Sequence, residues 1–97
     1  IFASASGNVV FADWTPKYGN LIVIHHGNNY FTYYGHNELI LVDQYKSVDI
    51  GDVIATSGNS GLSSGPHLHF EIWKDGEAID PLLYFPTLNK SNISVKN

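Results

Sequence analysis

The chain has 97 residues, 43% of them apolar, with 5 basic side chains against 9 acidic ones and a formal net charge of −4. That length holds one domain at most, or part of one, with a modest core. The acidic balance and the lack of any basic cluster exclude nucleic acid as a partner. No run is apolar for long enough to span a bilayer, and nothing at the start has the pattern of a signal peptide. Cys count is zero, which excludes a disulfide framework and thiolate chemistry.

Taken in chain order, the pattern is one of strands. Asn8 to Ala12 is a short apolar run after Gly7. Leu21 to His26 is apolar and β-branched, bounded by Gly19-Asn20 and by Gly27-Asn28-Asn29. Tyr30 to Tyr34 is aromatic and stops at Gly35, and Leu39 to Val42 and Val53 to Ser57 are further short runs. Leu68 to Trp73 closes the series before Asp75-Gly76, a strong two-residue hairpin signal. No window carries a helical stripe with caps. The expectation is an all-β, mostly antiparallel sheet closed as a barrel or sandwich. Residues 1–86 read as the domain and 87–97 as a polar tail or linker. Asn-x-Ser triplets at Asn89 and Asn92 are of a kind that chance supplies often.

Five histidines are the compositional excess. His67-Leu68-His69 is the sharpest feature. On a strand, residues i and i+2 share a face, so two imidazoles can converge on one metal ion or one substrate atom. Glu71 and Trp73 continue that face, and Leu68, Phe70 and Ile72 point the other way into a core. Upstream, Gly58, Gly61 and Gly65 with Ser57, Ser60, Ser63 and Ser64 make a small-residue loop that ends at Gly65-Pro66. Such a loop lets a ligand approach closely. Strand parity sets Tyr30, Thr32, Tyr34 and His36 on one face, so His36 can meet the His-x-His pair from a second strand. His25 and His26 adjoin and point to opposite faces, so they do not act together. No Gly-x-Ser-x-Gly elbow selects a serine nucleophile, and the glycine loop lacks the lysine of a phosphate loop.

The ordered set is Tyr18-Gly19-Asn20, Tyr34-Gly35-His36, Gly51-Asp52-Val53-Ile54, Gly58-Asn59-Ser60-Gly61, Gly65-Pro66-His67-Leu68-His69-Phe70-Glu71 and Asp80-Pro81. It resembles the zinc metallopeptidases of the lysostaphin and LytM type, the M23 family, which cut peptide cross-links in bacterial peptidoglycan. The resemblance runs from Ile1 to about Phe85. It implies a mostly antiparallel β structure of the duplicated-hybrid-motif type, with the site in a groove floored by the sheet. It implies that His69 is a Zn²⁺ ligand and that His36 and His67 are the catalytic histidines. In a completed site Glu71 would either orient an imidazole from outside the ligand set or be a solvent-exposed strand carboxylate, and the serine- and glycine-rich loop with Tyr34 would line the groove. The implied partners are the stem or cross-bridge peptides of peptidoglycan, and the implied location is the cell envelope.

One departure accompanies the resemblance. The family draws two further zinc ligands from an upstream His-x-x-x-Asp element, and no such spacing occurs in the 97 residues. A catalytic zinc usually has three protein ligands, so the expectation is that an upstream segment or another chain completes the site. The alternative is a degenerate, non-catalytic member that regulates a wall hydrolase. Carrier domains that bear lipoyl groups or phosphohistidine are weaker fits. The sequence has neither a lysine at a suitable hairpin tip nor, under the phosphohistidine reading, a reason for its His-x-His after Gly-Pro.

Overall fold

The computed structural model describes residues 1–57, 68–80 and 93–96. Its strands are β1 (Gly7–Thr15), β2 (Gly19–Gly27), β3 (Tyr30–Asn37), β4 (Leu39–Ile40), β5 (Ser47–Val48), β6 (Ala55–Thr56), β7 (Leu68–Lys74), β8 (Glu77–Ile79) and β9 (Ile93–Lys96). They form a seven-stranded sheet in the order β5-β1-β2-β3-β7-β8, with β9 also on β7, and a small β4-β6 pair. Every pairing is antiparallel except β7 with β9. The all-β, mostly antiparallel expectation therefore holds among the described residues. Within 87–97, read from sequence as a polar tail, Ile93–Lys96 forms a strand that pairs with Leu68 to Glu71.

Turn chemistry sets the sheet's order. Asn28 and Asn29 take φ of 51° and 60°, and Asp75 and Gly76 take 52° and 81°. Left-handed residues at both central positions match the twist of a tight hairpin, and Asn, Asp and Gly tolerate them best. The β1–β2 hairpin is built differently. Pro16 suits the first corner of its turn, the Thr15 hydroxyl accepts from the Tyr18 amide at 2.9 Å, and Gly19 supplies a φ of 63°. Gly7 is needed for close approach, because a Cβ there would lie 2.4 Å from the His25 carbonyl oxygen.

Alternation along the strands gives the sheet two different faces. Val9, Ile22, Ile24, Tyr34, Phe70 and Ile72 point to one side, where Ala3, Val48, Ile54 and Ala55 close over them as the core. These covering residues belong to the first residues of the chain and to the β3–β7 crossover, tied together by Ala3 N–H to Asp52 O and Ile54 N–H to Ile1 O. The opposite face carries Phe11, Leu21, Val23, Phe31, Tyr33 and Trp73, which line an open groove of about 790 Å³.

Candidate functional site

The site lies on the groove face, where β3 and β7 run side by side with Gly35 opposite His69. Parity carries His69, Glu71 and Trp73 to this face, as the His-x-His reasoning expected, and sends Phe70 and Ile72 into the core. His67 and the glycine- and serine-rich loop at 58–65 lie outside the described residues, as does Pro81.

Glu71 is the centre of the arrangement. Its side chain is fully buried, yet it is a carboxylate. Burial alone pushes its pKa up, but hydrogen bonds from His69, Trp73 and Tyr18 outweigh that and hold it below the ordinary glutamate value. His69 Nε2 lies 2.6 Å from Oε2, Trp73 Nε1–H donates to Oε1 at 2.8 Å, and the Tyr18 hydroxyl donates to Oε1 at 3.2 Å. An ionised carboxylate only accepts, so Nε2 of His69 must carry a proton. In the neutral ring the lone pair then sits on Nδ1. This is the arrangement of a metal-ligating histidine, whose other ring nitrogen donates to a carboxylate.

His36 reaches the same place by a different route than parity. Thr32 and Tyr34 point into the core, with Tyr34 only 1% exposed, so simple alternation would send His36 there as well. Instead His36 takes a left-handed backbone, φ 59°, which reverses its direction. Its ring meets His69 edge-on, with centroids 5.7 Å apart and planes at 89°. The next residues hold that corner. The Asn37 amide donates to Tyr34 O at 2.7 Å and Asn20 O at 3.0 Å, while the Asn20 amide donates to Asn37 O and Glu38 O. The expectation that Tyr34 lines the groove is therefore corrected. Its hydroxyl is spent on Ser4 and Thr32 beneath the sheet, and Tyr18 and Tyr33 line the groove in its place.

Sequence reasoning gave Tyr18 and Trp73 no role beside Glu71. Strand parity already puts Trp73 on the face of Glu71, without a role. Tyr18 came from another hairpin and had no spacing signal. His25 and His26 diverge as expected. His25 stacks on Phe31 with centroids 4.6 Å apart, and His26 lies on the core side, within 2.7 Å of both Ser6 O and Thr32 Oγ1. Among the described residues, no three His, Cys, Asp or Glu side chains are grouped to hold a metal ion. His69 fits as one ligand, with Glu71 as its outer partner.

The antiparallel sheet thus carries His36 and His69 side by side on its open groove face, with the buried Glu71 carboxylate bonded to His69. Residues 1–81 match the family described as Peptidase family M23, and the chain belongs to that family. It is 46% identical over 87 residues to lipoprotein NlpD of Yersinia enterocolitica, covering 89% of each. It is 45% identical over 87 residues to murein hydrolase activator NlpD of Escherichia coli strain K12, covering 89% of this chain but only 23% of that protein. Among solved structures it resembles a zinc-containing peptidase from Vibrio cholerae, with a TM-score of 0.74 and 37% identity, over 80% of this chain and 24% of that one. The chain thus spans about a quarter of the length of the latter two proteins.

Proposed function

We propose that this chain is a peptidoglycan-directed M23 module of the bacterial cell envelope that activates a cell-wall hydrolase. The observation that carries this reading is the 45% identity, over 89% of the chain, to a protein named as a murein hydrolase activator. The groove supports it. Its lining is apolar and aromatic, from Phe11 and Leu21 to Tyr33 and Trp73, which suits a protein surface at least as well as a polar peptide stem.

The second reading is a zinc endopeptidase acting on peptidoglycan cross-links, and one observation favours it. The His69–Glu71 contact of 2.6 Å is the outer-partner geometry of a metal ligand, retained here beside His36. In this reading His69 holds zinc and further ligands come from beyond these residues. Bound zinc would supply Lewis-acid polarisation of a scissile carbonyl. Glu71 would keep the His69 proton on Nε2 and its lone pair on Nδ1. His36 and His67 would hold or move a proton at the reacting groups, as an imidazole can with its two ring nitrogens.

The separating experiment uses the full-length protein and purified peptidoglycan sacculi. Soluble fragments are measured with the protein alone, with and without a chelator, and with a wall hydrolase from the same organism. The activator reading expects no release by the protein alone, and stimulation of the hydrolase that survives His69→Ala; the chelator is kept to the protein alone because it would also strip any metal the hydrolase needs. Release by the protein alone, abolished by chelator and by His69→Ala, would overturn it in favour of the peptidase.

A further inference from the structure

Tyr18 touches both halves of the histidine pair through different atoms. Its carbonyl oxygen accepts the His36 backbone N–H at 2.7 Å. Its hydroxyl donates to Glu71 Oε1 at 3.2 Å, and Glu71 in turn holds His69. Its ring lies 5.6 Å from the His69 ring and 5.9 Å from Tyr33, centroid to centroid. The ring also rests on Gly35, where an added Cβ would come within 3.3 Å of Tyr18 Cδ1 and 3.4 Å of its Cβ and carbonyl oxygen. From these contacts the geometry points to Tyr18 as a positioning residue that sets the two imidazoles relative to each other, by its main chain on His36 and by its phenol, through Glu71, on His69.

The local structure explains why one residue can do both. Tyr18 is the last residue of the β1–β2 turn, followed at once by Gly19 with a φ of 63°. That reversal carries the carbonyl toward the His36 corner while the side chain crosses the groove face above β3 and β7. The phenol is a durable donor: burial, and then the negative charge of Glu71, push its pKa up to about 12. The 3.2 Å contact is long for an O–H···O bond, so the hydroxyl trims the orientation of Glu71, and the shorter bonds from His69 and Trp73 anchor it. The role concerns the position of imidazoles and holds for an activator and a peptidase alike.

The test is Tyr18→Phe in the full-length protein, which deletes one oxygen and keeps the ring and the carbonyl. Long-range ¹H–¹⁵N spectra of the histidine side chains give the tautomer of each ring, and amide hydrogen exchange reports the His36 N–H. The expected result is a shift of the His69 ring signals, with part of the Nε2–H tautomer lost. The His36 amide should stay as protected as in the wild type. A role in stability alone would lower the melting temperature and leave the His69 tautomer as it was, which overturns the proposal. Gly35→Ala is the second variant. It presses on the Tyr18 ring and carbonyl together, so the His69 ring signals and the His36 amide should both change; if neither moves, the proposal is equally overturned.

Discussion

The two faces of the sheet bury polar groups for different ends. On the core side, Tyr34, Thr32, His26 and Ser4 make a chain of hydrogen bonds with no carboxylate in it. The Tyr34 hydroxyl lies 2.8 Å from Ser4 Oγ, Thr32 Oγ1 2.9 Å from the Tyr34 hydroxyl, and His26 Nε2 2.7 Å from Thr32 Oγ1. The Ser6 carbonyl can only accept, so Nδ1 of His26 carries a proton toward it. This chain of bonds pins the start of the polypeptide onto the sheet. On the groove side three side chains, those of His69, Trp73 and Tyr18, converge on one carboxylate, and what they fix is the proton position on His69. A network of hydroxyls can tolerate several proton arrangements. A network centred on an anion tolerates one, because every neighbour must donate.

The largest expected difference between the faces is in packing. Ile24 is fully buried under the crossover, so Ile24→Ala should cost about 2–5 kcal/mol through lost burial and an enclosed cavity. Val23, its neighbour on the groove face, is 6% exposed but lines an open groove, where truncation leaves no sealed void. Val23→Ala should cost clearly less by urea denaturation. Equal losses would mean that the groove face is as enclosed as the core.

Next in size is Glu71. Glu71→Ala removes the acceptor from the donors of His69, Trp73 and Tyr18. These donors are only partly buried, so water from the groove can satisfy them, and the total loss should stay within the about 1–3 kcal/mol that one fully buried unmatched donor costs. Glu71→Gln is the sharper probe. If its amide oxygen stays with Trp73 and Tyr18, its NH₂ faces His69, and Nε2 must then accept. The proton should move to Nδ1, a tautomer switch visible in ¹⁵N spectra. A His69 ring that keeps Nε2–H in Glu71→Gln would show that something other than Glu71 sets it.

Much of this was legible in the sequence, and the exceptions have physical causes. Alternation in Leu68 to Trp73 told which residues face the site, because a central strand obeys its period of two. Asp75-Gly76 announced its hairpin through the left-handed backbone both residues accept. Strands β5 and β8, of two and three residues, are too short to show a period and exist because neighbours supply their partners. His36 defeated parity because one residue with a φ of 59° inverts the count, and nothing in Gly35-His36-Asn37 distinguishes that from a continuing strand. Tyr34 was misplaced for the same reason: counting back from His36 put it in the groove. Tyr18 joins the site across a sequence separation of 53 residues from Glu71, a contact only the tertiary fold creates.

A smaller effect is expected from Tyr34→Phe. The ring packing against Phe70, at 5.4 Å between centroids, is kept. The bonds to Ser4 and Thr32 are lost, worth about 0.5–1.5 kcal/mol net. Faster exchange should be confined to the Ser4 amide and the segment around it, and the His69 tautomer should be unaffected. A change at His69 would show that the two faces communicate through β3.

The smallest effect distinguishes the faces by pH. Glu71 has its folded pKa lowered, so its contribution to stability is complete above the ordinary glutamate value of about 4.3. That contribution is lost as pH falls through the folded value, because protonation then costs the folded state more than the unfolded one. Tyr18 has the opposite sign. Its pKa rises from 10.0 to about 12, so its contribution is complete below about 10 and is lost as pH climbs toward 12. Wild-type stability should therefore fall at both limbs. Glu71→Gln should flatten the acid limb, and because it removes the charge beside Tyr18, though not the burial that is the larger cause of its raised pKa, it should also make the alkaline limb shallower. Tyr34→Phe leaves the carboxylate in place and should leave the acid limb unchanged. Denaturation midpoints at a series of pH values for these three proteins read out the comparison directly. An acid limb that persists in Glu71→Gln would assign the acid sensitivity to other carboxylates and remove the groove-face anion from its place at the centre of the site.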